Sequence, residues 1–84
     1  KMNEEIYTLS SVLSSPRLQQ AFMRNPSAIK DPIVADVCRY ELSLRYVENR
    51  LEEQERLDFE KFFSLDATTR TIVEYIRNVR NAPA

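Results

Sequence analysis

The fold of this chain is decided by residues 31–51, DPIVADVCRYELSLRYVENRL. Asp31 followed by Pro32 predicts a helix start, because aspartate caps free backbone N–H groups and proline is tolerated in the first turn. From there apolar residues recur in alternating steps of four and three, the repeat of a helix that packs along a seam. The seam consists of Ile33, Val37, Tyr40, Leu44, Val47 and Leu51.

The segment after this seam predicts that the helix continues. Residues 52–56 are polar, apolar residues resume at Leu57, and residues 48–63 contain neither proline nor glycine. One long central helix is therefore expected over about residues 32–63. It would measure about 48 Å at 1.5 Å per residue, against roughly 30 Å for a compact domain of this size. Either the helix bends near 54–58 or it projects and is covered by something else.

Shorter helices are predicted on both sides of the long one. A first helix is expected to begin near Asn3, with Ile6, Leu9, Val12 and Leu13 on one face. A second begins at Ser15 and Pro16, buries Leu18, Ala21 and Phe22, and ends near Asn25. A last helix is expected to be capped within residues 64–67, at Asp66 in preference to Ser64, and to end near Asn81, with an apolar stripe of Ile72, Tyr75, Ile76 and Val79. The sequence thus predicts an all-α bundle of four to five helices, a single domain over 2–84, with Lys1 an added residue ahead of Met2.

The composition excludes the commonest catalytic and cofactor sites. The 84 residues include no glycine and no histidine, while 43% are apolar and 30% charged. Without glycine, Walker A loops, Rossmann fingerprints and EF-hands lack the residue that their tight turns need. Without histidine, Ser-His-Asp triads, His-containing zinc sites and ferritin-like di-iron sites cannot form. We therefore expect no enzyme, no cofactor, no metal site and no small-molecule substrate.

Charge and cysteine content suggest the setting. Twelve basic against thirteen acidic residues leave a net charge of -1, so no overall field attracts nucleic acid or membranes. Because the first residues are acidic and the apolar runs are short, we expect neither a signal peptide nor a membrane span. The single cysteine, Cys38, excludes an internal disulfide, and the cytoplasm is the expected location. Because Cys38 lies at the edge of the seam, we expect it to be a buried apolar residue rather than a reactive thiol.

Acidic residues are frequent between Glu48 and Glu60. Hard cations need several oxygens converging on one point, whereas these carboxylates follow a helix edge. We expect a solvated face, in which Arg45 and Arg56 pair with acids at helical spacing.

The most informative feature for function is the seam together with the aromatic residues behind it. The seam is either the inner face of a bundle or a contact with a second chain, and the aromatic residues either close the bundle or anchor a partner. We expect a non-catalytic protein-interaction module, an adaptor, regulatory or accessory subunit whose simplest partner is a second copy in a homodimer. The expected partner-binding residues are Val37, Tyr40, Leu44, Val47, Leu51, Phe59, Phe62 and Phe63.

The alternative is a small nucleic-acid-binding regulator. Arg70, Arg77 and Arg80 follow one side of the last helix and could contact phosphates. Glu74 lies among them, and arginines near a helix C-terminus also complement its dipole. Nucleic-acid binding is therefore the less favoured hypothesis.

One stretch carries a family resemblance. Residues 13–28, LSSPRLQQAFMRNPSA, resemble the helix and Asn-Pro-x-Ala opening of helical leader domains and small accessory subunits in peptide-modification pathways. Those families continue with a glycine-containing turn, which this sequence lacks. The resemblance implies a role in recognition rather than catalysis.

Overall fold

The computed structural model describes residues 7–82, and within them the chain is an all-α bundle without strands. This confirms the predicted fold class. Five α-helices and one 3₁₀ turn follow in order: α1 (Leu9–Ser14), α2 (Pro16–Arg24), the 3₁₀ turn (Pro26–Ala28), α3 (Pro32–Val47), α4 (Glu53–Leu65) and α5 (Ala67–Asn81).

Helix starts follow the predicted caps in three of the five helices. The side chains of Ser15, Asp31 and Asp66 accept hydrogen bonds from backbone N–H groups in the first turns of α2, α3 and α5. The first helix begins later than predicted, because Thr8 caps it through a reciprocal pair of hydrogen bonds with Ser11. α1 therefore starts at Leu9, and the predicted start near Asn3 lies outside the described residues.

The prediction of one continuous helix over 32–63 is wrong. α3 ends at Val47, where Asn49 adopts a left-handed backbone conformation with φ of 60°. The N–H of Arg50 donates to the carbonyl of Arg45, and the N–H of Asn49 donates to that of Tyr46. This arrangement is a Schellman motif, which satisfies the last carbonyls of a helix and turns the chain away. Asparagine tolerates this conformation better than most residues, so it ends a helix in a chain without glycine.

α3 contacts each of the other four helices. α3 contacts α5 most extensively and also contacts α1, while α2 packs against α4 behind them. One apolar cluster joins all five helices and the segment after the 3₁₀ turn. Its buried members are Val12, Phe22, Met23, Ile29, Val34, Ala35, Cys38, Leu42, Phe59, Phe62 and Val73.

The face that α5 buries matches the predicted stripe only in part, at the buried Ile76 and the half-buried Ile72. Thr69, Val73 and Ile76 are buried, whereas Tyr75 and Val79 are exposed. Asp66 helps to set this rotation, since its carboxylate binds the Arg39 guanidinium at 2.8 Å while it caps α5. The start of α5 is thereby held against the middle of α3.

Candidate interaction surface

α3 carries apolar residues on two opposite faces, and only one of them faces the core. Val34, Cys38 and Leu42 are buried, and Leu42 is only 1% exposed. The predicted seam lies on the other face, since residues 42 and 44 point about 200° apart on a helix. Four of its residues form what we call the outer strip: Ile33, Val37, Tyr40 and Leu44.

The outer strip is exposed at two of its four residues. Ile33 is 67% exposed and Tyr40 is 44% exposed, while Val37 and Leu44 are half-buried. Three residues of the predicted seam, Val37, Val47 and Leu51, are half-buried and pack against the core, so Val37 joins the outer strip to it. The strip therefore ends where α3 approaches α4.

The charged residues of α3 divide between the same two faces. Arg39 and Arg45 point inward, with side chains 17% and 15% exposed, and bind carboxylates on other helices. Asp36 points outward and is bound by Arg39 at 3.0 Å. Glu41 is half-buried and forms no salt bridge within residues 7–82. The outward side of α3 is thus apolar with acidic edges.

The three predicted aromatic anchors do not share one environment. Phe59 is fully buried and Phe62 is 6% exposed, so both lie inside the bundle. The rings of Phe62 and Phe22 pack edge to face with 5.5 Å between their centroids, and the ring centroids of Phe59 and Tyr46 lie 4.7 Å apart. Phe63 is half-buried beside Phe59. Phe59 and Phe62 therefore close the bundle, which is one of the two roles that the sequence allowed for the aromatic residues.

Each arginine proposed for nucleic-acid contact has a partner within the chain. Arg70 donates to the carbonyls of Phe63 and Ser64 at the end of α4. The guanidinium of Arg77 lies 5.9 Å from the Tyr46 ring centroid. Arg80 binds Glu48 at 3.1 Å. A phosphate would have to compete with these contacts.

The acidic stretch is paired only in part as expected. Arg56 binds Glu60 at helical spacing on an exposed face, whereas Arg45 binds Glu55 across two helices in a largely buried pair, both at 3.4 Å. Hydrogen bonds from Gln20 and Gln54, together with the nearby Arg24, hold the pKa of Asp58 below its ordinary value. The described part of the chain has no group of three or more histidine, cysteine or acidic residues placed to hold a metal ion.

The environment of Cys38 is that of an apolar core residue. Its thiol is fully buried, and loss of solvation raises its pKa to about 12, with the positive charge of Arg39 opposing the shift only in part. A nucleophilic cysteine needs a lowered pKa and access, so this geometry does not favour reactivity.

A groove of about 470 Å³ between α2 and α4 was not foreseen from the sequence. Met23, Pro26, Phe62 and Leu65 form its apolar wall, and Leu65 is 81% exposed at the rim. Its two carboxylates already have partners: Asp58 accepts from Gln20 and Gln54, and Asp66 accepts from Arg39 and Thr69. No sequence periodicity marks this groove, because its walls come from two helices far apart in the chain.

No family model, curated protein or solved structure matches this chain. The resemblance of residues 13–28 to leader and accessory domains therefore stays a prediction. Among the described residues, no helix combines the length and the apolar composition needed to cross a membrane.

Proposed function

We propose that this chain is a non-catalytic protein-binding module that presents the outer strip of α3 to a helix of another polypeptide. The observation that carries the proposal is that α3 has one apolar face buried in the core and a second one on which Ile33 and Tyr40 are exposed and Val37 and Leu44 half-buried. Helices of small domains usually expose polar residues on their outward side. An apolar stripe at seam spacing there fits the groove or the face of a partner helix.

Two further features support the proposal. Ile33 and Tyr40 are accessible without unfolding, and an exposed tyrosine offers a large, rigid contact area with a polar end. The helices that pack most against α3 also expose apolar side chains, which are Leu9 and Leu13 on α1 and Tyr75 and Val79 on α5. The buried Phe59 and Phe62 are not part of the proposed surface, and the cytoplasm remains the proposed compartment.

The test uses a neutral helical probe and two variants. The probe is a labelled synthetic helix of three heptads with leucine at the seam positions and glutamine beside them. We expect Leu44→Asp to weaken its binding roughly 10-fold or more, because the contact would bury an unpaired carboxylate. Leu57→Asp is the matched control, since Leu57 is a half-exposed leucine on α4, away from the strip. The Leu57→Asp variant should bind the probe as tightly as the unmodified chain does.

Fluorescence anisotropy measures binding, and far-UV circular dichroism verifies that both variants remain helical. The proposal fails if the unmodified chain does not bind the probe, or if the two variants lose binding equally. Sedimentation velocity on the same samples tests the prediction of a homodimer. A dimer that Leu44→Asp dissociates and Leu57→Asp preserves would assign self-association to this surface.

Nucleic-acid binding is not proposed, because Arg70, Arg77 and Arg80 all have intramolecular partners. Titration with duplex DNA and with RNA at low salt should give no complex that depends on these three residues.

A further inference from the structure

We propose that the partner of the outer strip is an amphipathic helix with lysine or arginine beside its apolar seam, and not the α3 of a second copy. This inference rests on the proposed function and adds the chemistry of the partner. Its basis is the position of two acidic residues, Asp36 and Glu41, along the strip.

Asp36 and Glu41 lie on opposite edges of the strip. At 100° per residue they point roughly 60° and 80° away from its centre, one on each side. With Val37 and Leu44 at heptad positions a, and Tyr40 at d, Asp36 falls at g and Glu41 at e. These two positions form the charged contacts between paired helices and set the choice of partner.

Pairing α3 with α3 of a second copy would bring like charges together. In a parallel pair a g residue faces the e residue five positions later in the other helix, so Asp36 would face Glu41. In an antiparallel pair, where a residues lie against d residues, the register that places Tyr40 against Leu44 brings the two copies of Glu41 to the same edge. Both arrangements oppose carboxylates across the seam, which penalises association.

The basic residues of this chain offset the charge of Asp36 only in part and leave that of Glu41 unpaired within residues 7–82. Arg39 contacts Asp36 but also binds Asp66, and its side chain is largely buried. Arg45 is occupied by Gln19 and Glu55. Glu41 has no salt-bridge partner in the described segment, so a cation from another molecule can pair with it. A partner helix with basic e and g positions satisfies both edges of the strip.

The experiment compares charged versions of the synthetic helix on the unmodified chain. All have three heptads: one has leucine at a and d with lysine at e and g, and one has glutamate at e and g instead. A third keeps the lysines and replaces the leucines by serine. We expect the Leu/Lys helix to bind roughly 10-fold more tightly than the Leu/Glu helix at low salt, and the Ser/Lys helix not to bind.

The double variant Asp36→Lys/Glu41→Lys should invert the preference between the two leucine helices. Mixed in equal amounts, it should also form a 1:1 complex with the unmodified chain in sedimentation velocity, while each remains monomeric alone. Glu53→Lys/Glu74→Lys, which changes two exposed acids on other helices by the same total charge, should retain the original preference.

The possible failures separate the two proposals. Equal binding of the Leu/Lys and Leu/Glu helices, with loss in Leu44→Asp, would overturn the charge preference and preserve the proposed binding surface. Binding of the Ser/Lys helix as tight as that of the Leu/Lys helix would overturn this inference by showing general attraction between charges. A dimer of the unmodified chain that Leu44→Asp dissociates and Leu57→Asp preserves would overturn it as well. Failure of every leucine helix, including the neutral one, would remove the surface itself.

Discussion

The inner and outer faces of α3 differ less in hydrophobicity than in side-chain size. The inner face includes Ala35, Cys38 and Ser43, all buried, and these small side chains allow neighbouring helices to approach closely. The outer strip carries larger residues at regular seam spacing, with Ile33 and Tyr40 exposed. The regular seam was therefore a good signal for a helix and an incomplete signal for its core, since Val37, Val47 and Leu51 contact the core but no seam residue is fully buried. When a helix is apolar on two sides, the face that fits its neighbours becomes the core.

The largest expected difference between the two faces is the rate at which a cysteine on each face reacts with a thiol reagent. Cys38 is fully buried with a pKa of about 12, so it should react with a disulfide reagent at pH 8 only when the bundle opens. In a Cys38→Ala background, Ile33→Cys should react on the order of 100-fold faster, because residue 33 is exposed. The labelling rate is followed by absorbance.

The control for this comparison is the same labelling in denaturing urea, where both thiols should react at similar rates. If Cys38 in the folded chain labels as fast as the introduced thiol, the inner face is not closed as described.

Truncation should distinguish the faces by stability. Leu42→Ala should lower the free energy of unfolding by about 2–5 kcal/mol, because Leu42 is 1% exposed within the core. Leu44→Ala should lower it by less than about 1 kcal/mol, since Leu44 is half-buried outside the core cluster. Urea denaturation followed by circular dichroism measures both. If Leu42→Ala and Leu44→Ala lower the free energy of unfolding equally, the outer strip is part of the core of the isolated chain.

The polar link that holds the inner edge of α3 to α5 should have a smaller, pH-dependent effect. Burial alone would raise the pKa of Asp66, but hydrogen bonds from Arg39 and Thr69 and the charge of Arg39 lower it overall. Asp66→Ala should reduce stability by about 1–3 kcal/mol at pH 7, through loss of a helix cap and of a charged partner.

The sign of the pH effect follows from the lowered pKa in the folded state. The ionised carboxylate stabilises the fold above the pKa of an ordinary aspartate, about 3.9, and this contribution disappears as the pH falls through the lower folded value. The difference in the free energy of unfolding between the unmodified chain and Asp66→Ala should therefore be largest at pH 7 and should shrink below about pH 4. Glu74→Ala, at an exposed site on the same helix, should show little change at either pH. A difference that persists undiminished in acid would contradict the role of the ionised carboxylate.

The smallest effect on stability is expected at Asn49, just beyond the C-terminal end of α3. Asn49 has a φ of 60°, so Asn49→Gly should be neutral or stabilise the chain by a few tenths of a kcal/mol. Asn49→Ala should destabilise it by about 1 kcal/mol, because a Cβ without a polar group disfavours the left-handed region. Thermal unfolding compares the two. A more stable alanine variant would indicate that α3 and α4 can join into the continuous helix that the sequence predicted.

Local signals predicted most of the helix boundaries and missed those that depended on less common residues. Ser15, Asp31 and Asp66 each cap a helix as predicted, since a cap depends only on the following three residues. The break at Asn49 escaped prediction because asparagine supports a left-handed turn less strongly than glycine. The candidate surface was partly foreseen in Tyr40 and Leu44, but the arrangement of Asp36 and Glu41 along it needed the orientation of α3.

By itself, the sequence determined the class of the protein: helical, without glycine loops or histidine sites, and with proline and caps at the starts of α2 and α3. These properties depend on composition and on contacts within a few residues. Only the tertiary structure decided that Leu42 and not Leu44 enters the core, that Phe59 and Phe62 lie inside, and that Tyr75 and Val79 remain outside. Periodicity defines the angle between two side chains on one helix, whereas the neighbouring helices determine which direction is inward.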